Sequence, residues 1–79
     1  MLIRVRLFAL LVQYVAHATA GGTLEVELPG GSRVADLVAR MGLPPEQVRV
    51  TFVNGRARPM EWELGPGDDV GFFPAVGGG

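Results

Sequence analysis

The sequence contains no cysteine, no lysine and a single histidine. Without cysteine the chain cannot build a disulfide framework, a zinc-thiolate site or a thiol nucleophile. One histidine is too few for most metal sites, so we expect no bound metal. All seven basic residues are arginine, so only an N-terminal amine could act as a primary amine in a reaction.

The chain also has little net charge. Its formal net charge of -1 provides no strong field to hold a nucleic acid backbone or an anionic membrane, so neither partner is expected. Hydrophobic residues make up 48% and charged residues 19%, which is typical of a folded chain. A length of 79 residues allows one domain, which we assign to residues 1–79.

No apolar run reaches the roughly 20 residues that cross a bilayer. The longest apolar stretch, residues 7–16, follows two arginines and resembles a signal peptide. Arg4 and Arg6, however, alternate with the apolar residues from Ile3 to Leu7, and a period of two is typical of a strand. We therefore favour a strand and a cytoplasmic protein, and a signal peptide is the alternative.

Alternating apolar residues and turn signals predict five strands. Asn54-Gly55 is the strongest hairpin signal in the chain. Pro59 confines the strand after this turn to an edge of the sheet, because proline cannot donate a ladder hydrogen bond. The predicted strands cover residues 2–8, 24–28, 50–53, 56–60 and 70–73.

One amphipathic helix is predicted in the middle of the chain. Ser32 can cap its N-terminus, and Gly42 suits the left-handed position after its end. A shorter helix over residues 9–16 should follow the first strand. The apolar stripe of the main helix, at helical spacing, consists of Val34, Leu37, Val38 and Met41.

The order of elements is strand, short helix, strand, long helix and three strands, which predicts an α+β fold. The first and last strands can lie parallel in the middle of a mixed sheet that packs on the main helix. This is the β-grasp arrangement, with an extra short helix after the first strand. If the first two strands pair, Arg4 and Arg6 can face Glu25 and Glu27.

The last strand continues into three glycines, Gly77 to Gly79. Residues 74–79 can extend at most about 20 Å, which is enough to enter a pocket on another protein. Glycine has no Cβ atom, so such a tail can pass through a narrow channel. We expect a flexible tail over residues 74–79 with one reactive group, the α-carboxylate of Gly79. The alternative is a frayed end or a cloning remnant.

No group of residues forms a recognisable catalytic constellation. Ser32 is explained as a helix cap, and His17 lies between a helix end and a glycine turn. Asp68 and Asp69 are typical turn formers. We therefore do not expect this chain to be an enzyme.

Five short motifs resemble a known family when they are taken in order. They are Leu7-Phe8-Ala9, Val34-Ala35-Asp36-Leu37, Phe52-Val53-Asn54-Gly55, Gly67-Asp68-Asp69-Val70 and Phe73-Pro74-Ala75-Val76. Over essentially the whole chain they resemble the small subunit of molybdopterin synthase (molybdopterin-converting factor subunit 1), a ubiquitin-like sulfur carrier. The related thiamine-pathway carrier usually lacks the helix after the first strand. Two departures are the third glycine, Gly77, and Ala75, where a second proline is common.

The resemblance implies a mechanism in which Gly79 carries the sulfur. An adenylating enzyme of the ubiquitin-activating type would use ATP to adenylate the Gly79 carboxylate, and a sulfur donor would convert it to a thiocarboxylate. The larger catalytic subunit of molybdopterin synthase would then transfer this sulfur to a pterin precursor. The carrier itself is expected to bind no cofactor tightly.

Docking on these partners requires an apolar surface beside the tail. Phe8 and Phe73 are out of phase with the inward residues of their strands, so both can emerge on the outer face of the sheet if the strands are neighbours. The alternative is that they are buried beneath the first helix. We favour a partner-binding patch, because exposed apolar clusters are usually interaction sites. The predicted partner-binding residues are Phe8, Phe73, Pro74, Ala75, Val76, Gly77 and Gly78.

Other functions of the same tail stay open. The sulfur acceptor could be thiamine thiazole, cysteine or a tRNA base instead of a pterin precursor. A ubiquitin-like protein modifier or a plain binding module is a further alternative. As a modifier the chain could not form lysine-linked chains with itself, because it has no lysine.

Overall fold

The computed structural model describes residues 1–75, so Val76, Gly77, Gly78 and Gly79 lie outside the described residues. No helix of residues 1–75 is both long and apolar enough to pass through a membrane. The strands are β1 (Leu2–Leu7), β2 (Thr23–Glu27), β3 (Val50–Val53), β4 (Arg56–Ala57) and β5 (Asp69–Phe73). An α-helix, α1, covers Val34–Met41, and two 3-10 helices cover Ala9–Tyr14 and Pro45–Gln47.

The strands form one mixed sheet in the order β2-β1-β5-β3-β4. β1 and β5 are parallel, with Val5 opposite Val70, whereas the other neighbouring strands are antiparallel. Parallel neighbours need a long crossover, and the connection from β1 to β5 contains α1. The predicted β-grasp arrangement is therefore confirmed.

The core lies between α1 and one face of the sheet. Ile3, Val5 and Leu7 of β1 are fully buried, and so are Val70 and Phe72 of β5. This alternation of buried and exposed residues is the period of two that the sequence of β1 shows. The α1 residues in the same cluster are Val34, Leu37, Val38 and the half-buried Met41.

The short helix predicted over residues 9–16 is present as a 3-10 helix over Ala9–Tyr14. Its Leu11 side chain is fully buried and joins the core. Ala9, at its start, has a positive φ of 52°, which costs energy in any residue with a Cβ atom. The 3-10 helix therefore begins almost directly after β1.

Ser32 does not cap α1, and that prediction is wrong. The residue at the N-cap is Arg33, whose backbone N–H donates to the Asp36 carboxylate at 2.7 Å. The Ser32 hydroxyl instead donates to the Pro29 carbonyl at 2.7 Å. The turn through Pro29 holds Ser32 in a nearly buried position, so its hydroxyl is used within the loop.

The first turn of α1 is satisfied by main-chain acceptors instead of a serine. The N–H groups of Val34 and Ala35 donate to the carbonyls of Trp62 and Met60, each at 2.9 Å. These contacts tie the helix to the segment between β4 and β5. At the other end Gly42 has a φ of 72°, so the predicted left-handed position is confirmed.

The predicted strand over residues 56–60 ends early, at Ala57. The Arg58 N–H still donates to the Thr51 carbonyl at 2.9 Å, but Pro59 has no N–H with which to continue the ladder. The chain turns there, and the Trp62 N–H donates to the Pro59 carbonyl at 3.1 Å. The edge position predicted from Pro59 is confirmed, since β4 is the last strand of the sheet.

Asn54 connects the β3–β4 turn to the start of β5. Its φ of 52° and the 83° of Gly55 fit the predicted hairpin turn. The Asn54 side-chain amide also donates to the Asp68 carboxylate and accepts the Asp69 N–H, both at 2.9 Å. Asp68 in turn accepts the Gly65 N–H at 2.7 Å. One side chain therefore fixes two loops against each other.

We expect Asn54→Gly to lower the free energy of unfolding by about 1–2 kcal/mol, since glycine keeps the left-handed turn but loses both side-chain hydrogen bonds. Asn54→Ala should cost roughly 1 kcal/mol more, because alanine is strained at positive φ. Urea unfolding of the three proteins measures both differences. A glycine variant as stable as the parent would show that the side-chain hydrogen bonds contribute nothing.

Candidate functional site

Three phenylalanines meet on the outer face of the sheet, opposite the core. The rings of Phe8 and Phe73 are stacked, with centroids 4.2 Å apart and planes 4° from parallel. The Phe52 ring meets Phe73 edge-on, with centroids 5.5 Å apart. Both arrangements are favourable for aromatic pairs. We call Phe8, Phe52 and Phe73 the aromatic patch.

The parallel pairing of β1 and β5 brings Phe8 and Phe73 together. Leu7 lies opposite Phe72, and both point into the core. The next residue of each strand therefore points outward, and the Phe8 N–H donates to the Phe72 carbonyl at 3.2 Å. Both phenylalanines are half-buried on the outer face, where their phase in the sequence places them.

Phe52 is a member of the patch that the sequence analysis missed. β3 exposes Val50 and Phe52 and buries Thr51 and Val53. The sequence of β3 does not show which face is buried, because Val50 lies on one face and Val53 on the other. The phase of β3 follows only from pairing, since Phe52 lies opposite Gly71 of β5, the residue beneath the rings of Phe8 and Phe73.

Gly71 lies directly beneath the stacked rings. A Cβ atom at this position would stand 3.4 Å from the Phe8 ring and 3.5 Å from the Phe73 ring. Glycine in the middle of a strand weakens the strand, and close approach by another group is a common reason for it. Here the rings cover the exposed backbone of β5, so the patch is part of the sheet's packing as well as its surface.

A shallow cleft of about 360 Å³ lies beside the patch. Arg6 and Asp69 border it and form an ion pair of 3.5 Å between guanidinium and carboxylate. Both side chains are about half exposed, so water screens the pair and its contribution is a few tenths of a kcal/mol. The cleft therefore combines an apolar floor with a polar, hydrogen-bonding border.

The chain leaves the sheet next to this patch. The Phe73 carbonyl accepts the last hydrogen bond of β5, from the Arg49 N–H at 2.9 Å. Pro74 is half-buried and Ala75 is exposed. The predicted site residues Val76, Gly77, Gly78 and Gly79 lie outside the described residues, and their roles stay predictions.

Within residues 1–75 no three His, Asp or Glu side chains are grouped closely enough to hold a metal ion. His17 is exposed on a turn with a φ of 63°. Asp68 is engaged by Asn54 and Gly65, as described above. The described part of the chain thus presents a partly exposed aromatic patch at the end of β5.

Substitution of Gly71 tests how the patch is built. Gly71→Ala should keep the rings stacked, because its Cβ atom fits at van der Waals distance, and should preserve or slightly raise stability. Gly71→Val should separate the rings, since its methyl groups need the space that the rings occupy. Ring-current shifts in proton NMR spectra report the stacking. Unchanged shifts in the valine variant would contradict the close approach of the rings to β5.

Comparison with known proteins places this chain among small carriers. The ThiS family model matches residues 5–79. A structure assigned as molybdopterin converting factor, subunit 1, from Pyrococcus furiosus is 33% identical, with 96% of this chain and 99% of that chain covered and a TM-score of 0.72. SAMP1 from Haloferax volcanii, at 23% identity, covers 100% of both chains with a TM-score of 0.72 and shares the fold. No protein of curated function matches the sequence.

The family match begins within β1 and runs through the aromatic patch to the last glycine. It therefore includes every element that positions Phe8, Phe52 and Phe73, as well as the tail. The same β-grasp sheet recurs in the solved structures, which are small proteins of nearly the same length. The chain belongs to the ThiS family of ubiquitin-like sulfur carriers, whose members are carriers rather than catalysts.

Proposed function

We propose that this protein is a cytoplasmic sulfur carrier that delivers sulfur from a thiocarboxylate on Gly79 to a pterin precursor for molybdenum cofactor. The observation that carries the proposal is the place where β5 ends. A central strand leaves the sheet beside a partly exposed aromatic patch and continues into the glycine tail. A partner can therefore bind the patch and receive the tail at the same time.

The chemistry of the proposal needs two steps at the Gly79 carboxylate. A carboxylate oxygen attacks the α-phosphorus of ATP, pyrophosphate leaves and an acyl-adenylate forms. Hydrosulfide from a sulfur donor then attacks the carbonyl carbon, AMP leaves, the sulfur loses its proton and a thiocarboxylate remains. The chain has no cysteine, so its side chains offer no thiol to hold the sulfur instead. The adenylating enzyme of the ubiquitin-activating type binds ATP and supplies the catalytic groups.

The aromatic patch provides the binding energy that a glycine tail cannot supply. Tail glycines lose much conformational freedom on binding and offer no side chains to bury. Aromatic residues dominate the energetics of many interfaces, and Phe52 is 37% exposed in the free chain. We infer that Phe8, Phe52, Phe73 and Pro74 contact the partner while residues 75–79 enter its active site.

The choice of a pterin precursor as acceptor rests on the Pyrococcus furiosus relative. That protein is described as subunit 1 of a converting factor for molybdopterin, which implies a larger catalytic partner for it. We extend this partner to the present chain. The Haloferax volcanii structure is described as a small archaeal modifier protein, so protein modification is the second candidate function. Sulfur transfer to thiamine thiazole, cysteine or a tRNA base is the remaining alternative.

We expect Gly79 to become a thiocarboxylate when the chain is incubated with the adenylating enzyme, ATP and a sulfur donor. Intact-mass measurement should show one oxygen replaced by sulfur. Removal of residues 77–79 should abolish this change. The melting temperature should stay nearly the same, because glycine has no side chain to add to a core. A mass change that survives the removal would contradict Gly79 as the site.

The products in a cell extract separate the carrier from the modifier. A carrier should appear as the free protein and in a noncovalent complex with a larger subunit. A modifier should instead leave Gly-Gly remnants on lysines of many target proteins. Because the chain has no lysine, even a modifier should show single additions rather than ladders built on itself. Gly-Gly remnants on many target proteins would make protein modification the favoured function.

Substitution of Phe52 tests the patch as a docking surface. Phe52→Ala should weaken binding to the adenylating enzyme by at least about tenfold, because the most exposed aromatic anchor of the patch is lost. Tyr14→Ala is the matched control, since Tyr14 is 40% exposed against 37% for Phe52 but lies outside the patch. Calorimetry of both variants measures the difference. Equal losses would show that the patch has no special role.

A further inference from the structure

The two edges of the sheet differ in how they are protected. β4 covers only Arg56–Ala57 and is followed by Pro59, and a short strand next to a proline is poor at accepting another strand. β2 covers Thr23–Glu27 and contains no proline and no glycine. Within residues 1–75 no backbone group pairs with its outer side. β2 is therefore the open edge of this fold.

The register shows which groups of β2 are free. Met1 and Leu28 exchange two hydrogen bonds, of 2.6 Å and 2.9 Å, so they form a hydrogen-bonded pair at the end of the β1–β2 ladder. Such pairs alternate along antiparallel strands. The backbone N–H and C=O groups of Leu24 and Val26 therefore point towards β1 and bond to it, as those of Leu28 do. The N–H and C=O groups that point away from the sheet belong to Thr23, Glu25 and Glu27.

The inner side of this edge is apolar and only partly covered. Leu24 and Val26 are half-buried, whereas the inward residues of β1 are fully buried. A cleft of about 440 Å³ continues from the end of β2 towards α1, bordered by Glu27, Leu28, Pro29 and Arg40. Every second side chain of a strand added beside β2 would therefore face apolar surface.

The outer side of this edge is acidic. Glu25 and Glu27 are exposed on the outer face, and Arg4 of β1 lies opposite Glu25. Within residues 1–75 the one ion pair is that of Arg6 with Asp69, so neither glutamate is neutralised by a close partner. Opposite charges on neighbouring strands stabilise their pairing, and like charges oppose it. The outer face is basic on β1 and acidic on β2, so a basic strand added beside β2 would continue this alternation of charge.

We propose that the β2 edge binds an extended segment of another protein in which basic and apolar residues alternate. Its backbone pairs with Thr23, Glu25 and Glu27, its basic side chains face the two carboxylates, and its apolar side chains lie over Leu24 and Val26. This is strand addition, in which the backbone gives affinity and alternate side chains give specificity. A second copy of this chain is disfavoured, because two acidic edges repel each other.

The edge is distinct from the surface of the proposed sulfur-transfer function. β1 separates β2 from β5, and the aromatic patch lies on β5, β3 and the end of β1. Binding at the edge therefore leaves the patch and the tail free. The proposal does not depend on the function of Gly79.

The test uses the full ¹⁵N-labelled chain and a blocked peptide in which Arg and Val alternate. At low salt the peptide should shift the amide signals of Thr23, Glu25 and Glu27 but not those of β4, and added salt should weaken binding. A peptide of the same composition with its arginines grouped at one end is the control, because its charge is equal but its side chains do not alternate. Equal binding of both peptides, or shifts centred on β4 or the aromatic patch, would overturn the proposal.

Three variants separate the contributions of charge and backbone. Glu25→Gln should weaken binding about fivefold at low salt, which corresponds to about 1 kcal/mol. Glu25→Pro should abolish binding, because it also removes an outward N–H, while the β1–β2 ladder keeps its hydrogen bonds. Glu46→Gln, on an exposed 3-10 helix, should change nothing. Equal effects of Glu25→Gln and Glu46→Gln, or self-association through β2 in sedimentation experiments, would contradict the proposed partner.

Discussion

The parallel pairing of β1 with β5 is the contact on which the rest of the structure depends. It joins the two ends of the chain in the centre of the sheet and buries Val5, Leu7, Val70 and Phe72 on one face. The same register points Phe8 outward beside Phe73, on the other face. Since successive residues of a strand point to opposite faces, the core and the aromatic patch follow from one pairing.

The loops maintain this pairing. Asn54 connects the β3–β4 turn to the residues that begin β5, and the N–H groups at the start of α1 bond to the segment between β4 and β5. Each contact joins parts of the chain that are distant in sequence. The contacts from the β3–β4 turn and from α1 therefore fix the position of β5. They also fix the point where the chain leaves the sheet.

Structural features that depend on local periodicity can be predicted from the sequence. Features that depend on tertiary contacts cannot. The strict alternation from Ile3 to Leu7 predicts β1, its faces and the outward position of Phe8. Ser32 is a residue type that favours helix caps, but Arg33 occupies the N-cap and the carbonyls of distant residues accept the first N–H groups of α1. Phe52 could not be assigned to a face, because only its pairing with Gly71 settles the phase of β3.

The two faces of the sheet differ in how tightly their residues are constrained. Fully buried residues constrain the packing of the core, whereas the aromatic patch and the charges around it lie on the opposite face. Residues of the exposed face can change without leaving a cavity in the core, so substitutions there should affect stability less than substitutions in the core. Gly71 is the exception, because the rings above it cover the backbone of β5. At this one position the aromatic patch and the stability of the sheet depend on the same atoms.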